Sequence, residues 1–135
     1  SRRQRQMCIS ASYRVGLLTD GPGETQHDKL RRLGWSDAFD AVVVTGSIGA
    51  PKPDRRGFEA ITDELAVRPE ETVYVGDHPE RDIVGASAAG LLTVQVQYDD
   101  GPGPHPDADA TIRREEFDSL PLRLETLRRD RADDA

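Results

Sequence analysis

The segment Thr72-Val-Tyr-Val-Gly-Asp-His-Pro-Glu-Arg-Asp82 passes from an apolar run through a glycine-aspartate turn into a helix start. A short run of β-branched and aromatic residues without polar alternation predicts a buried strand over Thr72–Val75. Glu80–Ala89 reads as a helix closed by Gly90, and Leu92–Val96 as the next strand. The same order recurs upstream. Val15–Thr19 predicts a strand closed by Asp20-Gly-Pro-Gly23, and Glu24–Leu33 a helix ending at Gly34. Ala41–Thr45 is the clearest strand. The loop after it, GSIGAPKP, carries two prolines that are expected to forbid helix before residue 54. Asp54 can cap a helix that sets Phe58, Ile61 and Leu65 on one face. Strands alternating with helices predict an α/β domain with a mostly parallel sheet.

Downstream, Asp99–Asp107 reads as a surface loop, Ala110–Ile112 as a short edge strand and Leu120–Arg129 as a last helix. The expected organisation is a poorly defined segment over 1–12, one core domain over 13–128 and a charged tail over 129–135. The first twelve residues fit the end of a helix whose start lies elsewhere.

Composition narrows the function. With 135 residues the chain is long enough for one core. Its 18 basic against 25 acidic residues, a net charge of -7, argue against nucleic acid as a partner. No apolar run approaches the roughly 18 residues that a spanning helix needs, so no membrane partner is expected. SRRQRQ is basic, but the MCISASYRV that follows is too short and polar for a signal peptide, and a soluble, cytoplasmic protein is expected. The single cysteine, Cys8, excludes an intrachain disulfide and the usual zinc spacings. Only Lys29 and Lys52 are lysines, which leaves sixteen arginines among the 18 cations. A retained lysine suggests a place where a compact ammonium is wanted.

Three strand ends could carry chemistry, because ligands of open parallel sheets bind beyond the carboxyl ends of the strands. Thr19-Asp20-Gly21 offers a hydroxyl and turn N–H groups to an anion; an ordinary strand-to-helix turn would read the same way. Lys52 stands between Pro51 and Pro53, which limits where its ammonium can go, although a solvated loop lysine beside a capping Asp54 fits too. Asp77 follows the third strand, and Asp82, just inside the next helix, can turn back toward it. Such a carboxylate pair suits Mg²⁺, while acids at a helix start are also favoured by its dipole. His78 reads as a turn residue, His27 and His105 as solvated, and Trp35 as packing. The small residues from Gly85 to Ala89 would let their helix lie close on the sheet.

Taken together, GLLTDGPGETQHDKLRRLG, GAPKPDRRGFEAI and VYVGDHPERDIVGASAAGL resemble the second, third and fourth motifs of the haloacid dehalogenase-like hydrolases. The resemblance runs from about Tyr13 to Gln97 and implies a Rossmann-like three-layer sandwich. It implies that Thr19, with the backbone of Asp20 and Gly21, binds a transferring phosphoryl group. Lys52 would steady the phosphate and the nucleophile, Asp77 would ligand Mg²⁺, and Asp82 would support the metal shell or the lysine. Asp20 stands where asparagine is common, and its backbone is the expected contact.

The family's first motif, an Asp-x-Asp closing a central strand, has no counterpart before Thr19, and the cap insertion is missing as well. The one Asp-x-Asp, Asp107-Ala-Asp109, lies in a loop without a preceding hydrophobic strand and is not accepted as a substitute. The expectation is therefore a Mg²⁺-dependent phosphatase acting on a small phosphorylated metabolite through an aspartyl-phosphate, with the nucleophile-bearing half and its central strand absent from these residues. That half, or a second copy, would complete the sheet as partner. The alternative is a non-catalytic remnant that binds a phosphate-bearing ligand or a partner protein. A phosphoacceptor receiver domain is weaker, because no acidic pair follows a first strand.

Overall fold

The computed structural model describes residues 13–34 and 39–134. The chain forms two compact units that divide between Pro69 and Glu70. The expectations for residues 1–12, for Cys8 and for Trp35 lie outside the described residues.

In the first unit, β1 (Gly16–Thr19) is followed by α1 (Gly23–Arg32), β2 (Ala41–Val44), a single helical turn α2 (Thr45–Ile48) and α3 (Arg55–Leu65). Strands β1 and β2 pair in parallel, with Thr19 opposite Val44, so both strands end at the same level. Helix α3 packs on this pair. Its apolar face is the expected one: Phe58, Ile61 and Leu65 are buried, with Leu18, Val43 and Val44 buried on the strands. Full burial of such a side chain is worth about 1.5–3 kcal/mol, so the three together dominate the stability of the α3 contact. Asp54 caps the helix as expected, its carboxylate accepting from Arg56 N at 2.9 Å. The expectation that helix is forbidden before residue 54 is corrected by α2. Its four residues end at Gly49 in the left-handed region, φ 65°, before Pro51 can interfere.

In the second unit, a 3₁₀ turn (Pro69–Glu71) leads into β3 (Val73–Gly76). A π-helical stretch (Pro79–Val84) then continues into α4 (Gly85–Ala88), followed by β4 (Leu92–Gln97) and β5 (Ala110–Arg113). A 3₁₀ segment (Arg114–Ser119) leads into α5 (Leu120–Asp134). The strands form a parallel sheet in the order β3-β4-β5. The helix expected over Glu80–Ala89 is present but opens with π geometry, and Gly85 and Ala86 are buried. Helix α5 runs to Asp134 rather than ending at Arg129.

The long loop between β4 and β5 is tied to β4 by buried polar side chains. Gln95 accepts from His105 N at 2.7 Å and donates to Gly103 O at 3.0 Å. Thr93 Oγ1 donates to Asp107 O at 3.1 Å, and the Asp109 carboxylate accepts from Thr93 N at 2.8 Å. Both side chains are fully buried, and these bonds satisfy their polar groups. His105, expected to be solvated, is half-buried in this loop.

The protein is thus α/β with small, wholly parallel sheets. Among the described residues, β1 pairs with β2 alone and β3 with β4 alone. No helix among them is long and apolar enough to cross a membrane.

Candidate functional site

The candidate residues fall into two groups, one in each unit: Thr19 closes β1, and the others follow the carboxyl ends of parallel strands.

In the first unit the register explains the geometry. Because Thr19 is level with Val44, Asp20 and Thr45 leave their strands side by side. The Asp20 Oδ1 accepts from Thr45 Oγ1 at 2.8 Å and from the backbone N–H of Lys52 at 3.0 Å. The residues beside them interlock. Gly21 sits at φ 111°, where a side chain would be strained, and a Cβ on Gly46 would lie 1.9 Å from the Gly21 carbonyl oxygen. Only a glycine at 46 allows the two turns to approach this closely. Thr19, Asp20, Gly21 and Lys52 are half-buried, and Thr45 is buried. The Thr19 hydroxyl is 3.4 Å from the carbonyl of Asp20, a long contact for a hydrogen bond. The peptide joining Lys52 to Pro53 is cis, and Asp54 N donates to Pro51 O at 2.9 Å to close the turn.

The structure therefore brings Asp20 and Lys52 together, but through the Asp20 side chain. The sequence reading assigned only the Asp20 backbone, toward a phosphoryl group, and gave its side chain no partner. Thr45 was missed altogether. Its signal was available: a hydroxyl at the end of AVVV, paired in register with the end of GLLT.

In the second unit, β3 ends in Gly76, and the chain turns through Asp77 and His78 into the π-helical stretch. The Asp82 carboxylate is 5% exposed and lies under this turn. Its Oδ2 accepts from His78 N at 3.0 Å, and its Oδ1 from the Tyr74 hydroxyl at 3.3 Å. Gly76 makes room for it, since a Cβ there would stand 2.7 Å from the Asp82 carboxyl carbon. The i→i+5 bond from Ile83 N to His78 O, 3.2 Å, winds the chain wide enough to aim Asp82 backward. His78 is the turn residue expected, its Nδ1 accepting from Arg81 N at 3.1 Å. Asp77 is exposed at the strand end.

Asp77 and Asp82 thus share one turn, with unequal roles open to them: one faces solvent and the other holds the turn. Tyr74 was not singled out from the sequence. Side chains two apart on a strand share a face, so Tyr74 and Gly76 could have been read as the wall against which Asp82 folds. Among the described residues no three His, Cys, Asp or Glu side chains gather as a metal cage. An exposed carboxylate beside a buried one supplies hard oxygen donors and leaves the rest of a shell to water or phosphate, which fits Mg²⁺ better than softer metals.

Asp109 is at the wrong end of its sheet for a nucleophile. It is tied to Thr93 near the start of β4, whereas Asp77 follows the end of β3, and the strands are parallel.

Residues 9–96 match the family described as haloacid dehalogenase-like hydrolase. The glyceraldehyde 3-phosphate phosphatase of Methanopyrus kandleri is 41% identical over 85 residues, 63% of this chain and 36% of that protein. Among solved structures, the HAD phosphatase from Thermococcus onnurineus superposes with a TM-score of 0.78 at 30% identity, covering 89% of this chain and 55% of the other. The HAD-hydrolase YfnB of Bacillus subtilis, in a magnesium-bound form, superposes with a TM-score of 0.71 at 27% identity, covering 83% and 51%. The chain spans about half the length of these solved relatives, and little more than a third of the Methanopyrus protein.

Proposed function

The chain belongs to the haloacid dehalogenase-like hydrolases, and we propose that it forms the phosphate- and Mg²⁺-binding part of a phosphatase for small phosphorylated metabolites. The observation that carries this reading is that Thr19 closes a parallel strand, and Lys52 and Asp77 follow the carboxyl ends of two others, in the order of the family's motifs. The phosphatase named for the Methanopyrus relative supports the reaction class. The magnesium-bound relative and the oxygen donors of the Gly76–Asp82 turn support the metal.

In this reading the Thr19 hydroxyl and the N–H groups of the Gly21 turn receive phosphoryl oxygens. The Lys52 ammonium lies against the same charge, which grows on the oxygens in a loose transition state. Asp77, with Asp82 behind it, would hold Mg²⁺, which supplies charge neutralisation at the phosphoryl oxygens when bound. The nucleophile is an aspartate outside these residues: its carboxylate oxygen bonds to phosphorus as the bond to the substrate oxygen breaks. Water then cleaves the aspartyl-phosphate to inorganic phosphate.

Titration of inorganic phosphate into the chain, followed by amide chemical shifts, tests the first half of this assignment. Phosphate should move the amides of Thr19–Gly21 and Lys52. Lys52→Ala should weaken it about tenfold, the scale of one lost charge-assisted hydrogen bond, and Lys29→Ala by less than about twofold. Equal effects of the two lysines would mean that only bulk charge is sensed, and would favour a remnant without a phosphate site.

A further inference from the structure

We propose that Asp20 is a positioning residue, whose carboxylate fixes the Lys52 loop against the end of β1. The inference rests on the phosphate-site reading of Lys52 and goes beyond it by assigning the device that places this lysine.

Pro51-Lys52-Pro53 offers few ways of being tied down. Proline has no backbone N–H, so Lys52 carries the only donor with which these three residues can be tied down through the backbone. That donor goes to Asp20 Oδ1, at 3.0 Å. The same oxygen accepts from the buried Thr45 hydroxyl at 2.8 Å. One atom therefore joins three segments: the end of β1, the turn after β2, and the lysine loop. The neighbouring contact of Gly46 with the Gly21 carbonyl is too close to admit a side chain, so the first two segments have little freedom to slide. On the other flank, Asp54 N bonds to Pro51 O while the Asp54 carboxylate caps α3. The lysine is thus suspended between a helix cap and the Asp20 clip.

Both donors meet a single oxygen, and an asparagine could present an amide oxygen in the same place. An ionised acceptor makes the stronger bonds, so aspartate should hold the loop more firmly. Alanine removes the clip and leaves the Lys52 side chain intact.

Amide hydrogen exchange of the whole 135-residue chain reads the clip directly, and inorganic phosphate affinity reads its consequence. In Asp20→Ala the Lys52 amide should lose its protection, while α3 amides such as Ile61 keep theirs, which separates loss of the clip from loss of the fold. Phosphate should bind about tenfold more weakly. Asp20→Asn should keep the Lys52 amide protected and bind phosphate within about threefold of the parent. Because Asp20 acts through Lys52, adding Asp20→Ala to Lys52→Ala should weaken phosphate no further. The proposal is overturned if the Lys52 amide stays protected in Asp20→Ala, or if Asp20→Ala weakens phosphate equally with and without Lys52. If Lys52→Ala does not weaken phosphate, the phosphate-site reading fails instead, and the exchange data still decide whether Asp20 ties the loop.

Discussion

Asp77 and Asp82 lie in one turn, five residues apart, yet their surroundings give them opposite tasks. Asp82 is buried with both oxygens accepting hydrogen bonds, so truncating it orphans the His78 N–H, at a cost of about 1–3 kcal/mol. Asp77 is exposed, and its loss should hardly change stability. Asp82→Ala is therefore expected to lower the melting temperature clearly. Asp77→Asn should leave it unchanged but abolish Mg²⁺ binding measured by calorimetry. Unchanged Mg²⁺ binding in Asp77→Asn would remove that residue from the metal assignment. Asp54 gives a pH prediction. Hydrogen bonds and charge from Arg56 hold its carboxyl down to about 2 from an ordinary 3.8. A lowered folded-state pKa contributes stability above the unfolded value, and the contribution is lost as pH falls through the folded one. Asp54→Asn keeps a capping oxygen but gives up the charge. Its melting temperature should trail the parent's by a constant amount at neutral pH, and the gap should close only between 3.8 and about 2. At this scale the sequence disclosed residue types and spacing but not which atoms meet. Asp20 was read for its backbone, because a turn residue's side-chain partners depend on the register of two strands distant in sequence.

Helix α3 shows how an element is stopped without glycine. Ala66 takes the left-handed position at φ 57°, where Cβ is crowded, while its N–H bonds to Asp63 O at 3.0 Å and Val67 N bonds to Thr62 O at 3.1 Å. Arg14 then donates to the carbonyls of Leu65 and Ala66 at 2.8 and 3.1 Å, satisfying the helix end from across the unit. Ala66→Gly should relieve the crowding and stabilise the chain by about 0.5–1 kcal/mol, read as a higher denaturant midpoint with unchanged slope. A lower midpoint would mean that the gain in unfolded-chain entropy outweighs the strain. Most elements were legible, since runs such as AVVV and the Phe58-Ile61-Leu65 face have clear periods. Two features were not. The π-helical opening of the helix after β3 depends on Asp82 folding back beneath Gly76, a tertiary contact. The helical turn Thr45–Ile48 is too short to leave a period in the sequence.

For the molecule as a whole, the order of strand, turn and helix was enough to read an α/β fold from residues 13 to 113, because each buried parallel strand is written as a nearly continuous apolar run. The division into two units, each with its own small sheet, was less legible, for it turns on which strand edges find partners. The resemblance to the hydrolase family implies a further strand ending in the nucleophilic aspartate, which would continue the sheet. The account thus makes one strand responsible for both sheet continuity and covalent chemistry. In that account Lys52, Asp77 and Asp82 hold phosphate and metal, and the carboxylate that attacks phosphorus comes from the further strand. The most direct test is hydrolysis of an aryl phosphate with Mg²⁺ by the purified chain, alone and joined to a segment supplying a hydrophobic strand that ends in Asp-x-Asp, with thermal melting of both. The account predicts no turnover by residues 1–135 alone, and turnover together with a higher melting temperature once that strand is supplied. Robust Mg²⁺-dependent turnover by the chain alone would contradict it and require a nucleophile within residues 1–135.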